Sequence, residues 1–249
     1  MWKILEVKAF GRREGALAPQ LMEPTVKLIN YTPNPERTIA AAARLCYCDK
    51  SGDDLFLNLT EAEVKKMVKK IIELGHYSVL EHVSFTFAIS GISRVTTHQL
   101  VRHRVGCSYS QRSQRYIEED NFSFIIPPSI KERPELLDKY TEAMENLNSL
   151  YEEFAEIVPK EDARYLLPQA IESKIIVTYS LRALLHFIEL RACKRAQWEI
   201  QILAWRMLKE AKKVAPLLFE DAGPGCLRGG CPEGKMSCGK PYLTNDIEI

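Results

Sequence analysis

The chain has 249 residues, a formal net charge of +1, 46% hydrophobic residues and 27% charged residues. This length suits one large domain or two small ones with a full core, and the near-neutral charge argues against a dedicated duplex-DNA binder. No apolar run approaches the roughly 20 residues of a membrane span, and the N-terminus carries no evident export signal. We therefore expect a cytoplasmic protein that keeps its seven cysteines reduced.

Hydrophobic periodicity predicts a mixture of strands and helices. The first half contains a strand at 25–31, a helix from Pro35 to Leu45 capped by Asn34, a helix with a capping box at 60–63 that ends at Gly75, a strand at 83–90 and a helix at 94–101. The second half contains a short strand at 122–126 stopped by Pro127 and Pro128, a helix at 135–157, a strand at 174–179, and helices at 181–193 and 196–211. Since no linker composition divides the body, we predict an α+β domain over residues 1–220, followed by a Cys/Gly-rich tail at 221–249.

The most concentrated charge lies in the basic segment, residues 102–116, which contains four arginines, one histidine and no acid. Arginine presents a rigid fork of donors that matches phosphate and carboxylate oxygens. In a nearly neutral chain, this segment predicts a clamp for small anions. Because His103 lies between Arg102 and Arg104, like charge should lower its proton affinity and favour the neutral imidazole.

Cys107 lies in the same basic segment, where positive charge should favour its thiolate. The sequence assigns no base to this thiol, so a small residue packed in a tight loop explains Cys107 equally well.

A second polar patch follows the strand predicted at 174–179. On a helix, Arg182, His186 and Glu189 would share one face, and this face suits a solvated surface and the wall of a ligand pocket equally well. No Gly-x-Gly-x-x-Gly follows a predicted strand and no Walker-type loop occurs. A bound dinucleotide would therefore be held by side chains.

Three cysteines of the tail are spaced Cys-x4-Cys-x6-Cys, at Cys226, Cys231 and Cys238. Structural metal sites use four ligands, often in close pairs, and a fourth thiol could come from Cys46, Cys48 or Cys193. This spacing is a weak signal for a metal or a structural disulfide, so free thiols are the preferred interpretation and we predict no metal.

Four elements, in the same order, resemble those of flavin-dependent thymidylate synthases, and the resemblance spans roughly residues 25–215. They are Gly-His-x-Ser-x-x-Glu-His-x-x-Phe-x-Phe at 75–87, Arg-His-Arg at 102–104 with its downstream serine, Ala-Arg-x-x-Leu-Pro at 163–168, and Leu-Arg-x4-Ala-Gln-Trp-Glu-Ile at 190–200. Two departures occur. Eight residues, one more than in the family signature, separate Arg104 from Ser113, and Ser180 and His186 stand where asparagine is frequent in relatives.

This resemblance implies a fold and a reaction. The fold is a single domain with a central sheet flanked by helices, assembled as a homotetramer whose active sites are shared between subunits. The reaction is the reductive methylation of deoxyuridylate (dUMP) to thymidylate (dTMP), with FAD as cofactor. 5,10-Methylenetetrahydrofolate donates the carbon and NADPH is the reductant.

The resemblance also implies site residues. It assigns dUMP to Gln99, Leu100, Val101, Arg102, Gln111, Arg112, Ser113, Gln114, Arg115, Arg164 and Arg191. It assigns FAD to Ser78, Arg102, His103, Arg104, Gln111, Ser180, Arg182 and His186. Arg191 is the expected catalytic residue, which polarises the uracil ring, and His76 and Glu81 are expected near folate and NADPH.

Two other functions compete with this enzyme. In a nucleic-acid-binding module, Tyr109 and Tyr116 would stack on bases while the arginines grip phosphates, although acids directly follow the cluster. In a regulatory metalloprotein, the tail cysteines would bind a metal. We prefer the enzyme, with small-molecule substrates and neither nucleic acid nor a membrane as partner.

Overall fold

The structure, a computed structural model of the chain, describes residues 24–242. These residues form two compact units: a smaller unit of residues 112–172, and a larger unit of residues 24–111 and 173–242. The predicted boundary between residues 220 and 221 stays a prediction, and the ends of its two parts, 1–23 and 243–249, lie outside the described residues.

The described elements confirm the α+β class. From the N-terminal side they are β1 (Thr25–Tyr31), α1 (Pro35–Leu45), α2 (Gly52–Asn58), α3 (Glu61–Leu74), a 3₁₀ helix (Tyr77–His82), β2 (Ser84–Ser93), α4 (Arg94–Leu100) and β3 (Cys107–Gln111). They continue with α5 (Pro128–Lys131), α6 (Pro134–Ala155), α7 (Lys160–Ala163), a 3₁₀ turn (Arg164–Leu166), β4 (Glu172–Ser180), α8 (Leu181–Arg191), α9 (Trp198–Val214) and 3₁₀ turns at Gly225–Arg228 and Gly234–Met236. No helix within residues 24–242 has the length and apolar character that a membrane span needs.

A four-stranded sheet in the order β1-β2-β4-β3 organises the larger unit, and its β1–β2 and β3–β4 pairs are antiparallel. Alternation along β2 buries Phe85 and Phe87 completely. Helices α8 and α9 add residues such as Leu184 and Leu203 to the same core. Arg191 ends α8 and β3 directly follows the Arg-His-Arg turn, so this packing positions both polar segments that the sequence singled out.

The local signals at α3 are confirmed. Thr60 and Glu63 exchange both bonds of the capping box, and Gly75 ends the helix in the left-handed conformation at φ 69°. Asn34 does precede α1, but its side chain makes no capping bond, because its own backbone is left-handed at φ 47°. The helix instead begins with Pro35, whose missing N–H costs nothing at that position.

One strand prediction is wrong, and one strand was missed. Residues 122–126 form only an isolated bridge, from Phe124 to Ile171, because no strand of the described residues pairs with the rest of the segment. Strand β3 was not predicted, because its sequence Cys-Ser-Tyr-Ser-Gln has only two apolar residues, too few for a clear strand signal. Helix α2 was missed as well.

A buried carboxylate joins α9 to the junction of β2 and α4. Glu199, 2% exposed, accepts hydrogen bonds from the Ser93 backbone N–H at 2.5 Å and from the Ser93 hydroxyl at 2.6 Å. The Ser93 hydroxyl also caps α4 by accepting from the Thr96 N–H at 3.1 Å. Glu199 therefore holds the N-terminus of the helix that leads into the Arg-His-Arg turn.

We predict that Glu199→Ala lowers the free energy of unfolding by about 2–4 kcal/mol, because two buried donors lose their acceptor. Chemical denaturation measures this change. Glu199→Gln should cost less, since its carbonyl can still accept one bond. The control is Glu210→Ala on the same helix, which removes a surface pair with Lys213 and should cost less than about 1 kcal/mol. Equal losses in the Ala variants would contradict a special role for Glu199.

Candidate active site

The Arg-His-Arg motif forms a tight turn between α4 and β3. The turn continues from the helix through hydrogen bonds from the Val101 N–H to the Thr97 carbonyl at 3.0 Å and from the His103 N–H to the Leu100 carbonyl at 3.2 Å. Arg102 and Arg104 are exposed, whereas His103 is half-buried between them. The turn therefore directs His103 toward the protein and leaves its two arginines accessible to anions.

His103 contacts Arg191 at the end of α8. The Arg191 Nε donates to the His103 Nε2 over 3.1 Å, so Nε2 carries a lone pair and the ring is neutral. Burial, and then the charges of Arg191 and His186, lower the pKa of His103 to about 4. The predicted lowering of the His103 pKa is confirmed. Its causes, however, are burial and the two α8 side chains, not Arg102 and Arg104, whose side chains are exposed to solvent.

Aromatic contacts fix the orientation of the His103 ring. Its centroid lies 5.1 Å from that of Phe187, with an interplanar angle of 79°, and 6.1 Å from that of His186, with an angle of 66°. Phe187 is fully buried, while His186 is exposed. The structure thus brings together two of the predicted FAD residues and the predicted catalytic arginine.

Arg182 and Glu81 form an ion pair between α8 and the 3₁₀ helix, with 2.8 Å between Nη1 and Oε1. Both side chains are more than half exposed, so the pair is weak and an anionic ligand could displace Glu81 from Arg182. Glu189, predicted on the same helical face, pairs with Arg228 of the tail at 2.5 Å. His76 and Ser78, which shortly precede Glu81 in the chain, are both exposed.

Ser180 is held against Gly106, the second residue after the Arg-His-Arg motif. The Ser180 N–H donates to the Gly106 carbonyl at 2.7 Å, and the Ser180 hydroxyl caps α8 through the Ala183 N–H at 3.3 Å. Gly106 has φ +69°, and a Cβ there would lie 2.5 Å from the Ser180 Oγ. Glycine is therefore required for both conformation and space, which the sequence analysis did not identify.

Gln111, predicted at both ligands, ends β3. Its Nε2 donates to Thr97 Oγ1 at 3.1 Å and to Ser173 Oγ at 2.9 Å. Both hydroxyl partners are buried and were missed, because isolated Ser and Thr residues give no sequence signal. Gln111 thus ties β3 to α4 and β4.

The other residues predicted on and after α4 differ in exposure. Gln99 is half-buried and Val101 is exposed. The Leu100 side chain is fully buried, so Leu100 could contact a ligand only through its backbone.

The remaining predicted dUMP residues belong to the smaller unit. Arg112 pairs with the buried Glu119 at 3.2 Å, and its buried Nε has no hydrogen-bond partner among the described residues. Arg115 pairs with the Glu161 carboxylate at 3.0 Å, while the Arg164 Nε donates to the Glu161 backbone carbonyl at 3.0 Å. Arg164 therefore does not pair with the acids beside it in sequence.

Two shorter residues complete this stretch of the smaller unit. The Ser113 hydroxyl accepts from the Arg115 N–H at 3.2 Å, and Gln114 is buried. The structure thus joins Ser113 to Arg115, and both Arg115 and Arg164 to Glu161, within one unit.

The cysteine predictions are partly corrected. Burial raises the pKa of Cys107, so the neighbouring arginines do not favour its thiolate. Its Sγ donates to the Val105 carbonyl at 3.3 Å. All seven cysteines are free thiols, and no group of three or more His, Cys, Asp or Glu side chains within residues 24–242 is placed to hold a metal ion.

Tyr109 is not available for the base stacking that a nucleic-acid-binding module would need. It is half-buried, and its hydroxyl is bonded to backbone carbonyls. Tyr116 is exposed, with the Arg115 guanidinium 5.5 Å from its ring centroid.

We predict that Gly106→Ala destabilises the protein by about 3 kcal/mol, because it adds a steric clash of about 1–3 kcal/mol to the strain of a positive φ. Gly75→Ala is the matched control, since Gly75 also has φ +69° but a Cβ there would face open space, with no packed neighbour from the described residues within 4 Å. Chemical denaturation of both variants separates the clash from the strain. Equal destabilisation would contradict the close approach to Ser180.

We predict that His103 titrates near pH 4, below its ordinary value of 6.5, as NMR of its ring nitrogens would show. Between these values the unfolded chain binds more protons than the folded one, so the free energy of unfolding falls as the pH drops from about 6.5 toward 4. His103→Gln, which keeps an acceptor for Arg191 but cannot titrate, should reduce this fall. An unchanged pH dependence would contradict the assignment.

The chain is similar to known proteins in both sequence and fold. Residues 27–217 match the family model described as thymidylate synthase complementing protein. A solved UMP/dUMP methylase from Streptomyces cacaoi shares the fold, with a TM-score of 0.70 and 24% identity over 80% of this chain and 93% of that chain.

Relatives named flavin-dependent thymidylate synthase match nearly the whole chain. The protein from Clostridium tetani is 48% identical, over 90% of this chain and 96% of its own. The protein from Geobacter sulfurreducens is 50% identical, over 86% and 94%. The protein from Pyrococcus abyssi is 47% identical, over 85% and 90%. With its Arg-His-Arg turn set against the arginine that ends α8, the chain belongs to the flavin-dependent thymidylate synthase family.

Proposed function

We propose that this protein converts dUMP to dTMP by reductive methylation, with FAD as cofactor, 5,10-methylenetetrahydrofolate as carbon donor and NADPH as reductant. Family membership and identity near 50% to relatives of that name support the assignment. The observation that carries it is the contact of His103 with Arg191, because it places a permanently charged guanidinium beside an anion-binding turn.

The donors around this turn fit a dinucleotide pyrophosphate. Arg102 and Arg104 are exposed on the turn, and Arg182 is exposed on α8 in a weak pair with Glu81. Each guanidinium group can donate two parallel hydrogen bonds to a phosphate. These side chains therefore suit the FAD pyrophosphate without a glycine-rich phosphate loop. Bound FAD supplies the hydride chemistry, while the protein binds and orients the FAD and the substrate and sets the charge around them. The residues assigned to FAD are Ser78, Arg102, His103, Arg104, Gln111, Ser180, Arg182 and His186.

Arg191 is assigned the catalytic role. A guanidinium stays charged at any physiological pH and has five N–H donors, of which the Nε–H is used by His103. The others can donate to the uracil carbonyl oxygens and stabilise the negative charge that remains when the ring proton is lost to solvent, which readies carbon 5 for methylation. The neutral His103 holds Arg191 without competing for its charge.

The remaining assignments follow the family resemblance. The dUMP residues are Gln99, Leu100, Val101, Arg102, Gln111, Arg112, Ser113, Gln114, Arg115, Arg164 and Arg191. His76 and Glu81 are assigned to the vicinity of folate and NADPH. The assembly is a homotetramer with shared active sites, located in the cytoplasm, and the mass of the purified protein by light scattering tests the tetramer.

We predict that Arg191→Ala lowers kcat for dTMP formation by about 100- to 1,000-fold, because stabilisation of developing charge is lost, while bound flavin is retained. Absorbance of the purified protein measures flavin, and product analysis with dUMP, methylenetetrahydrofolate and NADPH measures turnover. Arg195→Ala is the matched control, since Arg195 lies in the next turn and pairs with Glu233 at the surface. Normal turnover by Arg191→Ala would remove it from the mechanism, and a wild-type protein without flavin or dTMP formation would overturn the function.

A further inference from the structure

We propose that Tyr109 is a positioning residue of the active site, whose hydroxyl holds the Arg-His-Arg turn in the shape that sets His103 against Arg191. The inference rests on the proposed roles of His103 and Arg191. It concerns a tyrosine that lies outside the residues assigned to substrate or cofactor.

The Tyr109 hydroxyl contacts the backbone at the end of α4 and in the middle of the Arg-His-Arg turn. Its oxygen lies 2.7 Å from the His103 carbonyl oxygen and 3.0 Å from that of Leu100. Leu100 ends α4, where carbonyls lack helical partners, and His103 is the middle residue of the motif. One side chain from β3 thus bridges the helix end and the turn, and fixes their separation.

A second phenol determines which way these bonds run. The Tyr179 hydroxyl lies 3.0 Å from that of Tyr109, and Tyr179 is fully buried. Tyr109 has one proton, so it can serve the carbonyls only if it accepts from Tyr179. This arrangement satisfies both phenols. Burial raises the pKa of each tyrosine, so both stay protonated donors throughout the physiological range.

Sheet register brings the two tyrosines together. Cys107 of β3 pairs with Tyr179 of β4, and Tyr109 pairs with Val177, so the tyrosines are diagonal neighbours on one face. Their ring centroids are 6.0 Å apart at 90°. Since both strands belong to the sheet, the Tyr109 hydroxyl is delivered by a rigid element.

The contacts close into a circuit around His103. Tyr179 packs on Phe187 with 5.4 Å between centroids, and Phe187 packs on the His103 ring at 5.1 Å. Tyr109 therefore holds the His103 backbone while Phe187 holds its ring, which leaves Nε2 directed at Arg191. Loss of the Tyr109 hydroxyl would release the backbone side of this circuit.

The test is Tyr109→Phe, which keeps the ring and removes only the hydroxyl. We expect kcat/KM for dUMP to fall about 10- to 100-fold, as for misplaced catalytic groups. We also expect the His103 pKa, followed by NMR without ligands, to rise from about 4 toward 6.5 as the loosened turn admits water. The charged and titratable groups around His103 are Arg102, Arg104, Tyr109, Tyr179, His186 and Arg191, and all but the Tyr109 hydroxyl are unchanged.

Tyr179→Phe is the matched control. It removes the proton given to Tyr109, but Tyr109 keeps its own proton for the His103 carbonyl, so kcat/KM and the His103 pKa should stay near wild type. The double variant Tyr109→Phe/Tyr179→Phe leaves no orphaned phenol. Its melting temperature should therefore recover relative to Tyr109→Phe while its kcat/KM stays low, which separates positioning from stability.

Three results would overturn the proposal. They are a normal kcat/KM in Tyr109→Phe, an unmoved His103 pKa, and a loss in Tyr179→Phe as large as that in Tyr109→Phe, which would assign the effect to the pair of hydroxyls and not to the bond from Tyr109 to the turn. If Tyr109→Phe does not fold, the double variant takes its place in both measurements. The His103 titration requires no turnover, so it tests positioning even if the wild type forms no dTMP.

Discussion

The contact between a neutral imidazole and a permanent cation is the interaction on which this site depends. Nothing in simple electrostatics brings Arg191 to a motif that already contains two arginines, so the fold must hold it there. Burial keeps the His103 pKa near 4, which prevents a third positive charge at the contact. The neutral ring can then accept from Arg191, and the guanidinium keeps its charge for a ligand.

Several polar ties support that contact, and those of Glu199 and Tyr109 come from residues outside the proposed ligand-binding set. Glu199 holds the start of α4 through Ser93, and Tyr109 holds its end. Gln111, at the end of β3, bonds to Thr97 of α4 and to Ser173 of β4. Each tie satisfies groups that would be costly to bury alone, so the scaffold gains stability from the same bonds that fix the site. Preorganisation of this kind favours charge stabilisation during reaction.

Much of the scaffold was predictable because its signals are local. The capping box before α3, the left-handed glycine after it and the alternation in β2 each depend on neighbouring residues, and the structure confirms them. The polar strand β3 was missed, because tertiary pairing with β4 rather than its own pattern makes it a strand. The strand predicted at 122–126 was wrong for the opposite reason. Its apolar pattern suits a strand, but within the described residues only Phe124 forms a bridge, to Ile171.

The sequence by itself determined the chemistry of the site: four arginines without an acid, a histidine among them and a second Arg/His helix indicate anion binding, and the order of four motifs indicates the family. Only the tertiary structure decided that Arg191 faces His103, that Arg182 meets Glu81 and that Gly106 must lack a side chain beside Ser180. Residue types and short spacings carry donor chemistry and helical faces. Contacts between segments about 90 residues apart arise from packing of the whole sheet and its helices, which no local pattern encodes.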